Sequence, residues 1–172
     1  MLKIRTAVVG TGKVGHTHAS ALADNPVSEF VAVYNHNAEK GHAFAAQYGV
    51  RGYSDFKAMI RDAGVQMISI CTPHPAHLKY ILAAAELGVH VLCEKPLAAS
   101  LQDCDQAIAA CRANNVKLGM VSQRRYYPPI VRMAQALSAG KIGRPTLVTL
   151  NVLGWRDEAY YRMDPWRGKW AT

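Results

Sequence analysis

The stretch "IRTAVVGTGKVG", Ile4 to Gly15, decides the fold. An apolar, partly β-branched run ends at Val9, and glycines follow at positions 10, 12 and 15. The residues after Gly15, as far as about Asn25, read as a helix. A G-x-G-x-x-G spacing by itself is common, but between a strand and a helix it becomes informative. Gly10 permits a tight turn, Gly12 lets backbone approach a pyrophosphate, and Gly15 lets helix and strand pack closely. The start of the helix offers unpaired N–H groups to an anion. Thr11, Lys13 and Val14 complete the turn and are read with the three glycines as dinucleotide contacts.

Outward from this unit, strand and helix signals alternate. Phe30 to Tyr34 reads as a strand, and a helix from about Ala38 to Tyr48 closes on Gly49. Residues 50–53 read as a short strand, and a helix beginning at Ser54 or Asp55 ends before Gly64. Met67 to Cys71 is a strand, Pro75 to Leu87 a helix capped by Gly88, and Val89 to Cys93 a strand. Ser100 caps a helix through Arg112, and Val116 to Val121 is the next strand. Short apolar strands between helices imply βαβ units, a parallel two-sided sheet and right-handed crossovers. The expected class is therefore α/β, a doubly wound (Rossmann) sheet over residues 1–122. Beyond residue 122 the rhythm changes. Pro128-Pro129 opens a helix reaching Gly140, and Arg144 to Leu153 reads as a longer strand, so 123–172 is expected to begin an α+β second domain.

Composition bounds the function. At 172 residues, half of them hydrophobic and 19% charged, the chain is an ordinary globular protein. No leader segment is expected ahead of the first strand, and no apolar run reaches the roughly 20 residues that a membrane span needs. Cys71, Cys93, Cys104 and Cys111 form no C-x-x-C pair and are expected as buried free thiols in a cytoplasmic protein. Residues 1–111 hold nine Lys/Arg and nine Asp/Glu, so the net +8 lies entirely in 112–172. That basic segment contains no run of like charge and no known reader of nucleic acid, so an anionic small molecule or an acidic partner surface is preferred. DNA binding through it is the competing expectation, with a steep salt dependence.

Two stretches add chemistry. Twenty residues past Gly15, where an acid usually meets the ribose of NAD, stands Asn35, with His36 and Lys40 close by. An amide does not repel a 2′-phosphate, and the two bases attract one, so the reading leans to NADP(H) within NAD(P). "VLCEKPLAAS", residues 91–100, stops a buried strand at Glu94-Lys95-Pro96. An acid, an amine and a rigid proline at a strand's carboxyl end lie where open α/β sheets bind ligands. Cys71-Thr72-Pro73-His74 ends the neighbouring strand at the same edge. His74 with His77 suggests a metal only weakly, for want of a third ligand, and none is expected.

"AVVGTGKVGHTHASAL", "SICTPHPAHLKYILAAAELGVHVLCEKPLA" and "LSAGKIGRPTLV" together resemble the Gfo/Idh/MocA oxidoreductases, over essentially the whole chain. The resemblance implies an NAD(P)-dependent enzyme that moves hydride between nicotinamide and a secondary alcohol or ketone of a sugar, cyclitol or related polyol. It carries the role of polarising the substrate oxygen to Lys95, with Glu94 orienting the amine and Pro96 fixing the backbone. It makes Cys71, Thr72, Pro73, His74 and His77 cofactor-lining, and Gln123 is counted with them. The substrate side is expected at Lys95, Arg124, Tyr126, Trp155, Arg156, Trp166 and Arg167, since aromatic faces pack on sugar rings and arginines fit anions.

The family's glycine-rich stretch with its Asn, His and Asp has no counterpart in this sequence. The chain is therefore expected to be part of a longer enzyme, inactive on its own and homo-oligomeric when whole. A nucleotide-binding module without catalysis, or a truncated product that keeps the cofactor domain, is the alternative.

Overall fold

The computed structural model describes residues 2–163. Six strands form one parallel sheet: β1 (Ile4–Val9), β2 (Ser28–Tyr34), β3 (Arg51–Tyr53), β4 (Met67–Ile70), β5 (His90–Cys93) and β6 (Leu118–Met120). Their order is β3-β2-β1-β4-β5-β6, so the chain reverses direction across the sheet between β1 and β4. Helices α1 (Lys13–Asp24), α2 (Ala38–Ala46), α3 (Phe56–Asp62), α4 (His77–Glu86) and α5 (Leu101–Ala113) make the connections. The doubly wound expectation holds.

Alternation along the strands builds a core on each face. Ala7 and Val9 of β1 join Ile68, Ile70, Ile81 and Met59 in one cluster. Val8 turns the other way, to Ala19, Leu22, Val33 and Phe44. Full burial of such a side chain contributes about 1.5–3 kcal/mol. Local polar residues set the helix starts. The side chains of Asn37, Asp55 and Ser100 accept N–H bonds from Lys40, Ala58 and Asp103. The helix expected at Pro75 begins instead as a 3-10 turn, His74–Ala76, and becomes α-helical at His77.

The chain divides into two compact units, Met1–Val121 and Ser122–Thr172. The second contains a 3-10 turn (Gln123–Tyr126) and helices α6 (Pro128–Ser138) and α7 (Glu158–Met163). The strand expected at Arg144 to Leu153 is not formed. A strand needs a hydrogen-bonded neighbour, and none pairs with this segment among the described residues. Its side chains Leu147, Val148, Leu150 and Leu153 stay at least 80% exposed.

Candidate active site

Ladder bonds carry the strands' alignment into the turns that follow them. Gly10 N–H donates to Tyr34 O at 3.0 Å, Cys71 N–H to Val9 O at 2.8 Å, and Glu94 N–H to Ile70 O at 3.0 Å. The turns after β1, β4 and β5 therefore stand side by side at the carboxyl edge, on the side where α/β sheets bind ligands.

The three glycines differ in what they require. Gly10 has φ +105°, and a Cβ there would lie 2.8 Å from the Cys71 carbonyl group. A Cβ on Gly15 would collide with Gly10 O. Both are packing requirements of the strand–helix contact. At Gly12 an added Cβ meets nothing within 4 Å, so the space over the turn is open. Here α1 starts with no side-chain cap and no acid in its first turn. Its N–H groups, with Thr11, Lys13 and Val14 around them, suit the diphosphate of a dinucleotide. Thr72 Oγ1 adds an orphan: it is buried without a hydrogen-bond partner in the described structure, beside the tight contact with Gly10. An unpaired buried hydroxyl at this edge fits a bound polar ligand.

Asn35 does not stand free at the end of β2. Its Nδ2 donates to Thr11 Oγ1, and its Oδ1 accepts the Asn37 N–H at 2.9 Å. The amide thus ties the glycine turn to the β2 loop, where His36 and Lys40 are exposed.

His77, expected to line the cofactor, is a buried ring between two turns. The ring is 1% exposed, with Nδ1 2.8 Å from Pro96 O and Nε2 2.9 Å from Thr72 O. Both nitrogens are engaged, so His77 clamps two turns together and has none to offer a metal. Among the described residues no three His, Cys, Asp or Glu side chains gather as a metal site. His74 is held below the ordinary histidine value by burial first, then by the nearby charges of His77 and Lys95. Cys71 is half-buried; desolvation pushes its thiol up to about 12, against a hydrogen bond with Ser69 that lowers it.

Lys95 and Pro96 are exposed and Glu94 is half-buried, and the Lys95–Pro96 peptide is cis. The expected orientation of the Lys95 amine by Glu94 is not what the structure holds. Glu94 Oε1 pairs with His18 Nε2 at 3.0 Å, and Oε2 accepts the backbone N–H of Lys95 at 3.1 Å. The carboxylate is occupied on both oxygens without reaching the amine. His18 and its second partner, Ser69, are the site residues that sequence reasoning missed. The available signal was a polar residue three positions past Gly15, on the helix face that packs on the sheet.

The remaining candidates lie in the second unit. Gln123, Arg124 and Tyr126 occupy its first 3-10 turn, with Arg124 and Tyr126 exposed. Trp155 and Arg156 line a shallow open pocket with Asp157, Ala159, Tyr160 and Met163, and the Arg156 guanidinium lies 5.1 Å from the Tyr160 ring centre. Trp166 and Arg167 fall outside the described residues.

The pattern described as "Oxidoreductase family, NAD-binding Rossmann fold" matches residues 4–122. The chain belongs to the Gfo/Idh/MocA family of oxidoreductases. Among relatives in this Gfo/Idh/MocA group, inositol 2-dehydrogenase 1 of Saccharopolyspora erythraea is 38% identical over 151 residues, 86% of this chain and 45% of its own length. D-apiose dehydrogenase of Paraburkholderia graminis is 31% identical, over 83% of this chain and 38% of its own. The WlbA dehydrogenase of Bordetella pertussis, solved with NADH and UDP-GlcNAcA, superposes with a TM-score of 0.92 at 32% identity. That likeness covers 98% of this chain and 53% of WlbA. The chain spans about half the length of the curated relatives it matches.

Proposed function

We propose that the whole protein transfers hydride between NAD(P) and a secondary alcohol or ketone of a sugar, cyclitol or related polyol. The observation that carries this reading is the meeting of three turns at one sheet edge: Gly10 to Gly15, Cys71 to His74, and Glu94 to Pro96. Relatives named for inositol and apiose, and a neighbour solved with a sugar nucleotide, support the substrate class.

In this reading, the first-turn N–H groups of α1 hold the diphosphate, and the orphaned Thr72 hydroxyl gains a partner. The nicotinamide, when bound, supplies or accepts the hydride. The Lys95 amine, exposed at the edge, hydrogen-bonds the substrate oxygen and offsets the charge that develops there. Exposed arginines and aromatics of the second unit, Arg124, Tyr126, Trp155 and Arg156, supply anion and ring contacts to the substrate, as Trp166 and Arg167 do in the sequence reading. The cofactor is read as NADP(H), because an amide stands at Asn35 with His36 and Lys40 beside it. The +8 charge of residues 112–172 is assigned to anionic small molecules in preference to nucleic acid.

No described helix is long and apolar enough to cross a membrane, and the four free thiols suit a reducing, cytoplasmic setting. Exposed apolar side chains such as Leu147 and Leu150 favour a homo-oligomer of the whole protein. Fluorescence titration of NADPH and NADH into the protein, followed by turnover assays over a panel of polyols and sugar nucleotides, tests the assignment. Dinucleotide binding without turnover of any alcohol by the whole protein would favour the non-catalytic module instead.

A further inference from the structure

We propose that His18 is a positioning residue, which fixes the Glu94-Lys95-Pro96 turn against the helix that receives the diphosphate. His18 lies one turn past Gly15 on α1, on the face that carries the buried Gly15, Ala19 and Leu22. Its ring is held from both sides. Nδ1 is 2.6 Å from the hydroxyl of Ser69, a residue of β4 with no exposed surface, and Nε2 is 3.0 Å from Glu94 Oε1. The His18 and Glu94 side chains are only 12% and 16% exposed. A carboxylate so enclosed needs donors, since leaving a buried charged group unpaired costs more than an ordinary lost hydrogen bond. The described structure gives Glu94 two, the His18 ring N–H and the N–H of Lys95.

The second of these makes the arrangement more than a brace. Glu94 Oε2 accepts the backbone N–H of Lys95, so the carboxylate that His18 orients sets in turn the peptide presenting the amine. Releasing His18 frees Glu94 to swing, and the Lys95 backbone loses its acceptor. The diphosphate end of the site, built on Gly10 to Gly15 and on backbone N–H groups, does not depend on this bond. His18 thus acts through Glu94 on the end of the site nearer Lys95. This inference rests on the reading that the Glu94-Lys95-Pro96 turn faces the nicotinamide.

The test compares two probes on the protein and on three variants. The first probe is NADPH or NADH, whichever binds more tightly, and the second is the matching adenosine-diphosphoribose half. His18→Leu should weaken the intact dinucleotide about tenfold, the scale of one lost hydrogen bond to a charged group. It should leave the half-molecule within about twofold and speed hydrogen exchange at the Lys95 amide. His18→Gln places an amide N–H near the ring's Nε2 position and should restore both properties. His18→Asn reaches only toward Ser69 and should not. Equal weakening of both probes would reduce His18 to a general structural residue, and so would rescue by Asn as good as by Gln. Unchanged dinucleotide affinity with unchanged exchange would overturn the proposal directly. If the unmodified protein binds neither probe, the dinucleotide reading itself falls and takes this inference with it.

Discussion

The buried ring of His77 lies 2.8 Å from the carbonyl oxygen of Pro96, nineteen residues away in sequence. Its other nitrogen lies 2.9 Å from Thr72 O. One side chain thus clasps the turn after β4 to the turn after β5. His77→Ala removes the ring N–H that faces these carbonyls and opens a cavity, and a carbonyl left unpaired costs on the order of 1–3 kcal/mol. A lower urea midpoint is expected, with faster hydrogen exchange across residues 94–97. An unchanged midpoint would show the clasp to be dispensable.

The glycines separate binding from folding. Gly12 has an ordinary φ of −79° and open space where a Cβ would sit. Gly12→Val is therefore expected to fold normally and to lose NAD(P)H binding, because the side chain fills the room the diphosphate needs. Gly15→Ala is expected to destabilise the fold, since its Cβ meets Gly10 O. Thermal melts and fluorescence titrations on both variants distinguish the two; a Gly12→Val protein that still binds would move the site elsewhere.

Lys95→Ala in the whole enzyme should lower turnover by about 10²–10³, the usual loss on removing one donor to developing charge. Cofactor affinity should hardly change, because the amine acts on the reacting oxygen and mostly in the transition state. Pro96→Ala should do less, since the charge remains. Near-normal turnover of Lys95→Ala would leave the turn a structural one.

At the β2 end, NADPH should bind more tightly than NADH. Asn35→Asp should reverse the order by repelling the 2′-phosphate and offering the ribose an acceptor. The Asn35 amide also donates to Thr11 Oγ1, so the variant should loosen the glycine turn and lose some affinity for both dinucleotides. Tighter NADH binding by the unmodified protein would refute the preference.

The thiols give a pH dependence of known sign. Desolvation raises Cys71 and Cys93 to about 12 in the folded protein, from an ordinary 9.0. Their contribution to stability is fully present below the unfolded value and is lost as pH rises from about 9 toward about 12, where the unfolded chain ionises first. The urea midpoint should fall between pH 8 and pH 10.5, and less steeply in a Cys71→Ala, Cys93→Ala double variant. Native thiol titration at pH 8 should find Cys71 and Cys93 slow, because the thiolate is the reactive form. Fast labelling of either would contradict its burial.

Much of the first unit is local physics, and so it was legible in the sequence. Short strands of three to seven residues, side-chain caps at Asn37, Asp55 and Ser100, and glycines at turns each act within a few positions of the chain. The glycine spacing and the charged turn after β5 likewise pointed, from sequence alone, to the sheet edge at which the three turns meet. The segment 144–153 shows the limit of that reasoning. Its residue types suit a strand, but a strand exists only where another backbone pairs with it, which its own sequence does not supply. The roles of His18, Ser69, Asn35 and His77 belonged to tertiary structure alone. Each depends on a hydrogen-bonding partner between 19 and 76 residues away, apart from the local bond of His77 to Thr72 and that of Asn35 to Asn37. Residue type states that a histidine or an amide can make such bonds. Only the packing of α1 and α4 on the parallel sheet decides which group receives them.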